Sequence, residues 1–248
     1  MQPKEFKKKE RIIRLMQDVG LTNETPISQY MDLDYFIKMM EAGRYYVKKK
    51  KMFKDKLEKD YPNNLKFCLH PVGGDLPLPE QPNIQAILTE NINTHKRLSN
   101  LLTSCWTMGE NSNILMWQSF TSRLGVQICS TIGDFAGSFI NEDYYIWCGK
   151  VQYESPQQMD SPIYKIWEKQ CHFSDEREVR FIFSKSLEII EIGKMNSNGV
   201  YLPVYPERMI HKVILSPFID KGAAPMMASM LHKKYSISVD ILNVEMEN

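Results

Sequence analysis

The sequence has no apolar run approaching the ~18 residues that cross a bilayer, and Met1 leads into lysine-rich sequence instead of an apolar signal core. A soluble, cytoplasmic chain with no membrane partner is the expectation. It also lacks charge of one dominant sign. A formal net charge of +1 over 248 residues provides no global field for nucleic acid or a membrane surface, so any polyanion site must be local. The five cysteines, Cys68, Cys105, Cys129, Cys148 and Cys171, include no C-x-x-C pair, and Cys68 with His70 and Cys171 with His172 are isolated. Zinc needs ligands at repeated close spacing, so reduced thiols and no metal are expected. No internal repeat is visible, which excludes a solenoid or propeller.

What is present suffices for a packed core, since a chain of this size buries roughly three quarters of its unfolded surface. Residues 6–19 carry Ile12, Leu15, Met16 and Val19 at helical spacing and stop at Gly20, so residues 1–26 read as an N-terminal helix. Residues 27–248 read as a single α+β domain. It opens with a strand at 27–30, a helix holding Leu33, Phe36, Ile37 and Met40 that ends at Gly43, and a strand at 45–47. Residues 70–82 are dense in Pro and Gly and predict a loop or the junction of two lobes. A long helix follows over 84–102. Strands are expected at 104–107, 126–129, 144–153, 178–184, 187–192, 199–205, 210–215 and 236–242. Helices are expected from Ser112 through Phe120 to Gly125, from Ser161, and at 221–234. Strands and helices do not alternate regularly, which favours α+β over a doubly wound sheet.

The stretch most suggestive of chemistry is F-S-D-E-R-E-V-R-F-I-F, read as a strand over 176–184. Alternation buries Val179, Phe181 and Phe183 and aims Glu176, Glu178 and Arg180 at the other side. Two carboxylates about 6 to 7 Å apart cannot both ionise freely without a compensating cation or hydrogen bonds. Such a cluster is either a surface ion-pair ladder or a site. Met116, Trp117 and Phe120 on a helix, and Ser104, Trp106 and Thr107 on a strand, are either core or an aromatic wall for a flat ring. Tyr30, after Gln29, sits at a strand-to-helix junction. Asp55 and Glu58 read as a solvated helical face or added site acidity. Of the run Lys48 to Lys51, four successive lysines cannot all face one ligand.

In this order the pieces resemble a widespread bacterial and phage family labelled as a domain of unknown function. The resemblance spans about residues 27–218. It rests on I-S-Q-Y-M-D-L-D-Y-F through G-R-Y-Y-V, on Phe53, Asp55 and Glu58, and on S-C-W-T. It rests further on L-M-W-Q-S-F-T-S-R-L-G-V-Q-I, on Phe173, Glu176, Glu178 and Arg180, and on I-H-K-V-I-L-S-P. The arrangement is in turn similar to the ADP-ribosyltransferase fold, which implies a split β-sheet core with flanking helices and NAD as substrate. Carried over, Glu178 is the catalytic glutamate, Glu176 its partner toward the acceptor, and Arg180 the third member of the catalytic set. Gln29 or Tyr30 is the first-strand contact, while Ser104, Trp106, Trp117 and Phe120 line the nicotinamide pocket. The implied activity is an NAD-consuming transferase or glycohydrolase, a toxin or phage-defence effector, with a small-molecule nucleotide and a macromolecular acceptor as partners. Two alternatives stand beside it. One is a metal-dependent nuclease using Glu178-Val-Arg180 with Asp143 or Asp160, and the other a non-catalytic ligand-binding or partner-binding module.

Overall fold

The computed structural model describes residues 14–15, 20–49, 101–140, 145–153, 167, 169, 171–184 and 198–242. The expected loop at 70–82, the helix from Ser161, the strand at 187–192, Asp55, Glu58, Asp143 and Asp160 lie outside them, as does the helix over 84–102 up to residue 100; at its expected end Leu102 starts a strand instead. Within the described residues the strands are β1 (Arg14–Leu15), β2 (Pro26–Asp32), β3 (Arg44–Lys49), β4 (Leu102–Met108), β5 (Gly125–Thr131), β6 (Tyr145–Lys150), β7 (Glu178–Ser184), β8 (Gly199–Pro203), β9 (Lys212–Leu215) and β10 (Ser238–Ile241). The helices are α1 (Leu33–Ala42), α2 (Ile114–Phe120), α3 (Ile132–Gly137), α4 (Pro206–Met209) and α5 (Ala223–Tyr235). Among these none is long and apolar enough to cross a membrane.

All ten strands join one sheet in the order β1-β6-β7-β4-β2-β5-β9-β10, with β3 pairing β4 and β8. Pairing is antiparallel except at the two ends, β1 with β6 and β10 with β9. The fold is α+β, as expected. The sheet is also split. One edge of β4 runs against β7 from Leu102 to Thr107, while its other edge is shared. Thr107 and Met108 pair with β2, and Leu102 and Thr103 pair with β3. β2 and β3 therefore diverge like the tines of a fork, leaving the backbone of Ser104 to Trp106 between them.

Strand alternation sorts side chains onto two faces. On the core face Ile27, Val47, Trp106, Val126, Ile128, Phe181, Phe183 and Val213 pack with α1, α3, α4 and α5. Phe135 of α3 is the hub, with ring centroids 4.6 Å from Phe181, 4.7 Å from Trp106 and 5.4 Å from Tyr45. Each such edge or tilted pair adds roughly 0.5–1.5 kcal/mol beyond area burial. On the far face α2 covers a smaller cluster of Tyr30, Met116, Trp117, Cys129 and Ile214.

Several expectations change. Arg14 and Leu15, placed in a helix by their spacing, pair as strand with Trp147 and Cys148. α1 does stop at Gly43, whose φ of 57° is the left-handed cap that suits glycine. α2 is capped by Asn113, whose side chain accepts from Leu115 N–H; Ser112 instead bonds the Gln127 side chain. Gly125 opens β5 instead of closing α2, which ends at Thr121. α3 and α4, of six and four residues, are too short for a periodic signal. Cys105, Cys129, Cys148 and Cys171 are free thiols.

Candidate functional site: a buried ion cluster at the start of β7

β7 begins at Glu178, so Glu176 is not on the strand; it ends a 3-10 helix, Cys171–Glu176. Between them Arg177 has φ 45°, a left-handed kink that breaks the extended run. The expectation that alternation alone aligns both glutamates is thus corrected: it aligns Glu178 with Arg180. The Arg180 stem reaches back along the strand, and its Nε and Nη2 donate to Glu178 Oε1 and Oε2 at 2.6 and 2.9 Å. The pair is bidentate and nearly solvent-free, Arg180 being 0% and Glu178 3% exposed.

Glu176 nevertheless reaches the cluster, through a lysine. Lys169 Nζ lies 2.6 Å from Glu176 Oε2 and 3.6 Å from Glu178 Oε2, and 4.6 Å from the centre of the Phe173 ring. Its backbone is anchored beyond β6: Lys169 N–H donates to Gln152 O, and Gln152 N–H to Trp167 O. Tyr153 completes the group, its hydroxyl oxygen accepting the Glu178 backbone N–H at 2.7 Å. Burial by itself raises the Glu178 pKa. The Arg180 charge and hydrogen bonds, the Lys169 charge and a Cys105 thiol hydrogen bond outweigh it and bring the carboxyl down to about 2. Burial pushes the Tyr153 phenol up, and its hydrogen bond from the Glu178 N–H only partly offsets this. The result is that Glu178 is held charged by two cations inside the protein.

Register decides what shares that face. Thr107 lies opposite Glu178 and Cys105 opposite Arg180; Ser28 lies opposite Thr107. Tyr30 and Trp117 belong to the same side, edge to face at 4.9 Å and 88°. The Tyr30 hydroxyl accepts Asn113 N–H at 3.0 Å, keeping its own proton available. The Trp117 indole N–H is buried and has no partner among the described residues. Phe120, at the last turn of α2, is half exposed.

Gln29, Ser104 and Trp106 are not brought to this face. They lie on the core face, in a network at the fork. Gln29 Nε2 donates to Cys105 O at 2.8 Å, filling the gap in the β4 ladder, and its Oε1 accepts the Tyr45 hydroxyl at 2.8 Å. Tyr45 and Ser104 hydroxyls are 2.6 Å apart, and Trp106 Nε1 donates to Ser104 Oγ at 3.0 Å. Burial lifts the Tyr45 pKa to about 12, so this network is uncharged.

Sequence reasoning missed Lys169, Tyr153 and Trp167, and it grouped Thr107 with Ser104 and Trp106 rather than with Glu178. Trp167 is 1% exposed and packs on Gly149, which faces Arg180 on the adjoining strand; any Cβ at 149 would collide with its indole. The register of β4 on β7 identifies Thr107, but Lys169 and Tyr153 carry no periodic or motif signal.

No family model matches the chain, and no curated protein does. Among solved structures, Thermus sp. 2.9 DarT in complex with ADP-ribosylated ssDNA is similar at a TM-score of 0.38 and 10% identity, covering 91% of this chain and 98% of that one. DarT in complex with NAD+ is similar at 0.38 and 10%, covering 90% and 98%. In complex with carba-NAD+ the values are 0.36 and 10%, covering 89% and 97%.

Proposed function

We propose that the chain consumes NAD by an ADP-ribosyltransferase-like or glycohydrolase reaction, with Glu178 as the catalytic carboxylate. The observation that carries this reading is Glu178 itself: a carboxylate kept ionised in a nearly dry setting, on a central strand beside the fork of a split sheet. Scission of the nicotinamide C–N bond leaves its electron pair on the pyridine nitrogen and positive charge on the ribose. A fixed carboxylate accepting a ribose hydroxyl proton in a hydrogen bond stabilises that charge as it develops. Both Glu178 oxygens accept from Arg180, and each retains lone-pair capacity for that bond. Glu176 would take the proton of the acceptor nucleophile as its oxygen or nitrogen bonds the ribose carbon. Tyr30 and Trp117 lie buried on the same face, and among the described residues the Tyr30 hydroxyl proton and the Trp117 indole N–H have no partner. Gln29, Ser104 and Trp106 would act indirectly, by fixing the fork. An effector role, as toxin or in phage defence, extends this reading to the cell.

A metal-dependent nuclease fits less well, because the Glu178 oxygens are already faced by a guanidinium and an ammonium, which repel a cation. The non-catalytic module has one observation in its favour. Glu176, Glu178, Lys169 and Arg180 pair two carboxylates with two cations, and such ion pairs can serve as a purely structural staple. The test is nicotinamide release from NAD, without added metal, by the full chain and by Glu178→Gln, whose melting curve is recorded in parallel. Release by the wild type and none by a folded Glu178→Gln supports the enzyme; no release at high protein concentration leaves the staple.

A further inference from the structure

Of the lysine run, Lys48 and Lys49 fall at the end of β3, and the strand sets them on opposite faces. Lys49 turns inward at 3% exposure, and Lys48 turns out. On the far face β3 carries Arg44, Tyr46 and Lys48 at successive outward positions, and β8 sets Tyr201 directly opposite Tyr46. The two rings lie 4.8 Å apart at 44°. Tyr46 lies over Gly199, where a Cβ would stand 2.7 Å from its Cζ and hydroxyl oxygen. Tyr46 is half-buried. Tyr201 is 64% exposed. Arg44 and Lys48 are exposed and make no ion pair among the described residues. Arg44 and Lys48 of β3 thus flank a pair of aromatic rings, one half-buried on β3 and one exposed on β8.

We infer that this surface of β3 and β8 is a binding platform for single-stranded nucleic acid, with bases stacking on Tyr46 and Tyr201 and phosphates meeting Arg44 and Lys48. Base faces are open in a single strand and closed in a duplex, and aromatic side chains with interleaved cations are what such a strand binds. The chain's balanced charge fits a local site of this kind. The proposal is independent of NAD chemistry, because the platform lies on the arm of the fork away from β7.

The experiment is fluorescence anisotropy of a labelled twelve-nucleotide oligothymidine with the full chain and no NAD, over a salt series. Tyr201→Ala is expected to weaken binding about tenfold, and Tyr201→Phe to retain it. Arg44→Ala with Lys48→Ala is expected to weaken binding and lower the log-log salt slope by about 1.4. All these side chains are outside the core, and melting curves verify that each variant is folded. A duplex of the same sequence and inorganic polyphosphate are expected to compete poorly. Absence of binding by the wild type, or unchanged binding by Tyr201→Ala, overturns the proposal. Displacement by polyphosphate as effective as by the oligonucleotide also overturns it, identifying a plain polyanion patch.

Discussion

On the core face of the fork, Gln29, Tyr45, Ser104 and Trp106 satisfy one another through neutral hydrogen bonds. On the far face of the sheet, at the adjoining β7, Glu176, Glu178, Lys169 and Arg180 are joined through charge. Both groups are largely enclosed, yet they answer different needs. The neutral network closes a gap in the β4 ladder, where a bare Cys105 carbonyl would cost about 1–3 kcal/mol. The ionic cluster closes no gap in the sheet. Burying two carboxylates and two cations is seldom the cheapest way to fill space, since apolar replacements of similar volume are often as stable or more so. That excess of charge over structural need is why the far face, and not the equally polar core face, carries the functional proposal.

The contrast breaks most sharply at Glu178. Glu178→Ala leaves Arg180, wholly buried, facing no strand-mate carboxylate, and should destabilise by about 3–5 kcal/mol in urea unfolding. Glu178→Leu combined with Arg180→Met should recover most of that loss while abolishing any NAD turnover. A double variant as unstable as the single one would mean the cluster is structural.

Acid probes the same difference. Because the folded pKa of Glu178 is about 2, below the ordinary 4.5, its stabilising contribution is complete above pH 4.5. It disappears as pH falls through about 2, removing on the order of 3 kcal/mol. Chemical denaturation between pH 5 and 2 should therefore show a steeper loss in wild type than in Glu178→Gln. Tyr45→Phe, on the neutral side, should leave the wild-type pH dependence in place.

Gly149→Ala should cost about 1–3 kcal/mol by forcing Trp167 off β6, and tryptophan fluorescence should shift as the indole moves. Smallest is Tyr45→Phe itself, about 0.5–1.5 kcal/mol, seen as a lowered melting temperature with the fold retained.

Much of the fold was legible because it follows from period. Alternation placed Val179, Phe181 and Phe183 inward and Glu178 with Arg180 outward, and the 3.6-residue spacing with a Gly43 stop delimited α1. The site was legible only along one strand. Glu176 was assigned by extending the alternation two residues too far, past a left-handed Arg177 that no spacing reveals. The resemblance to the ADP-ribosyltransferase fold groups Ser104 and Trp106 with Glu178. Which face each takes depends on the register of β4 against β7, a long-range pairing with no local signal. Lys169 and Tyr153 come from segments outside the strands, so their convergence on Glu178 is a product of tertiary packing alone.

The most direct test is a crystal of the full chain soaked with a nonhydrolysable NAD analogue. The nicotinamide ribose should lie on the far face, with a hydroxyl in hydrogen-bond reach of Glu178 and the pyridine ring beside Tyr30 or Trp117. An analogue bound elsewhere, with the Glu178–Arg180 pair undisturbed and out of reach, would contradict the assignment of Glu178 as the catalytic carboxylate.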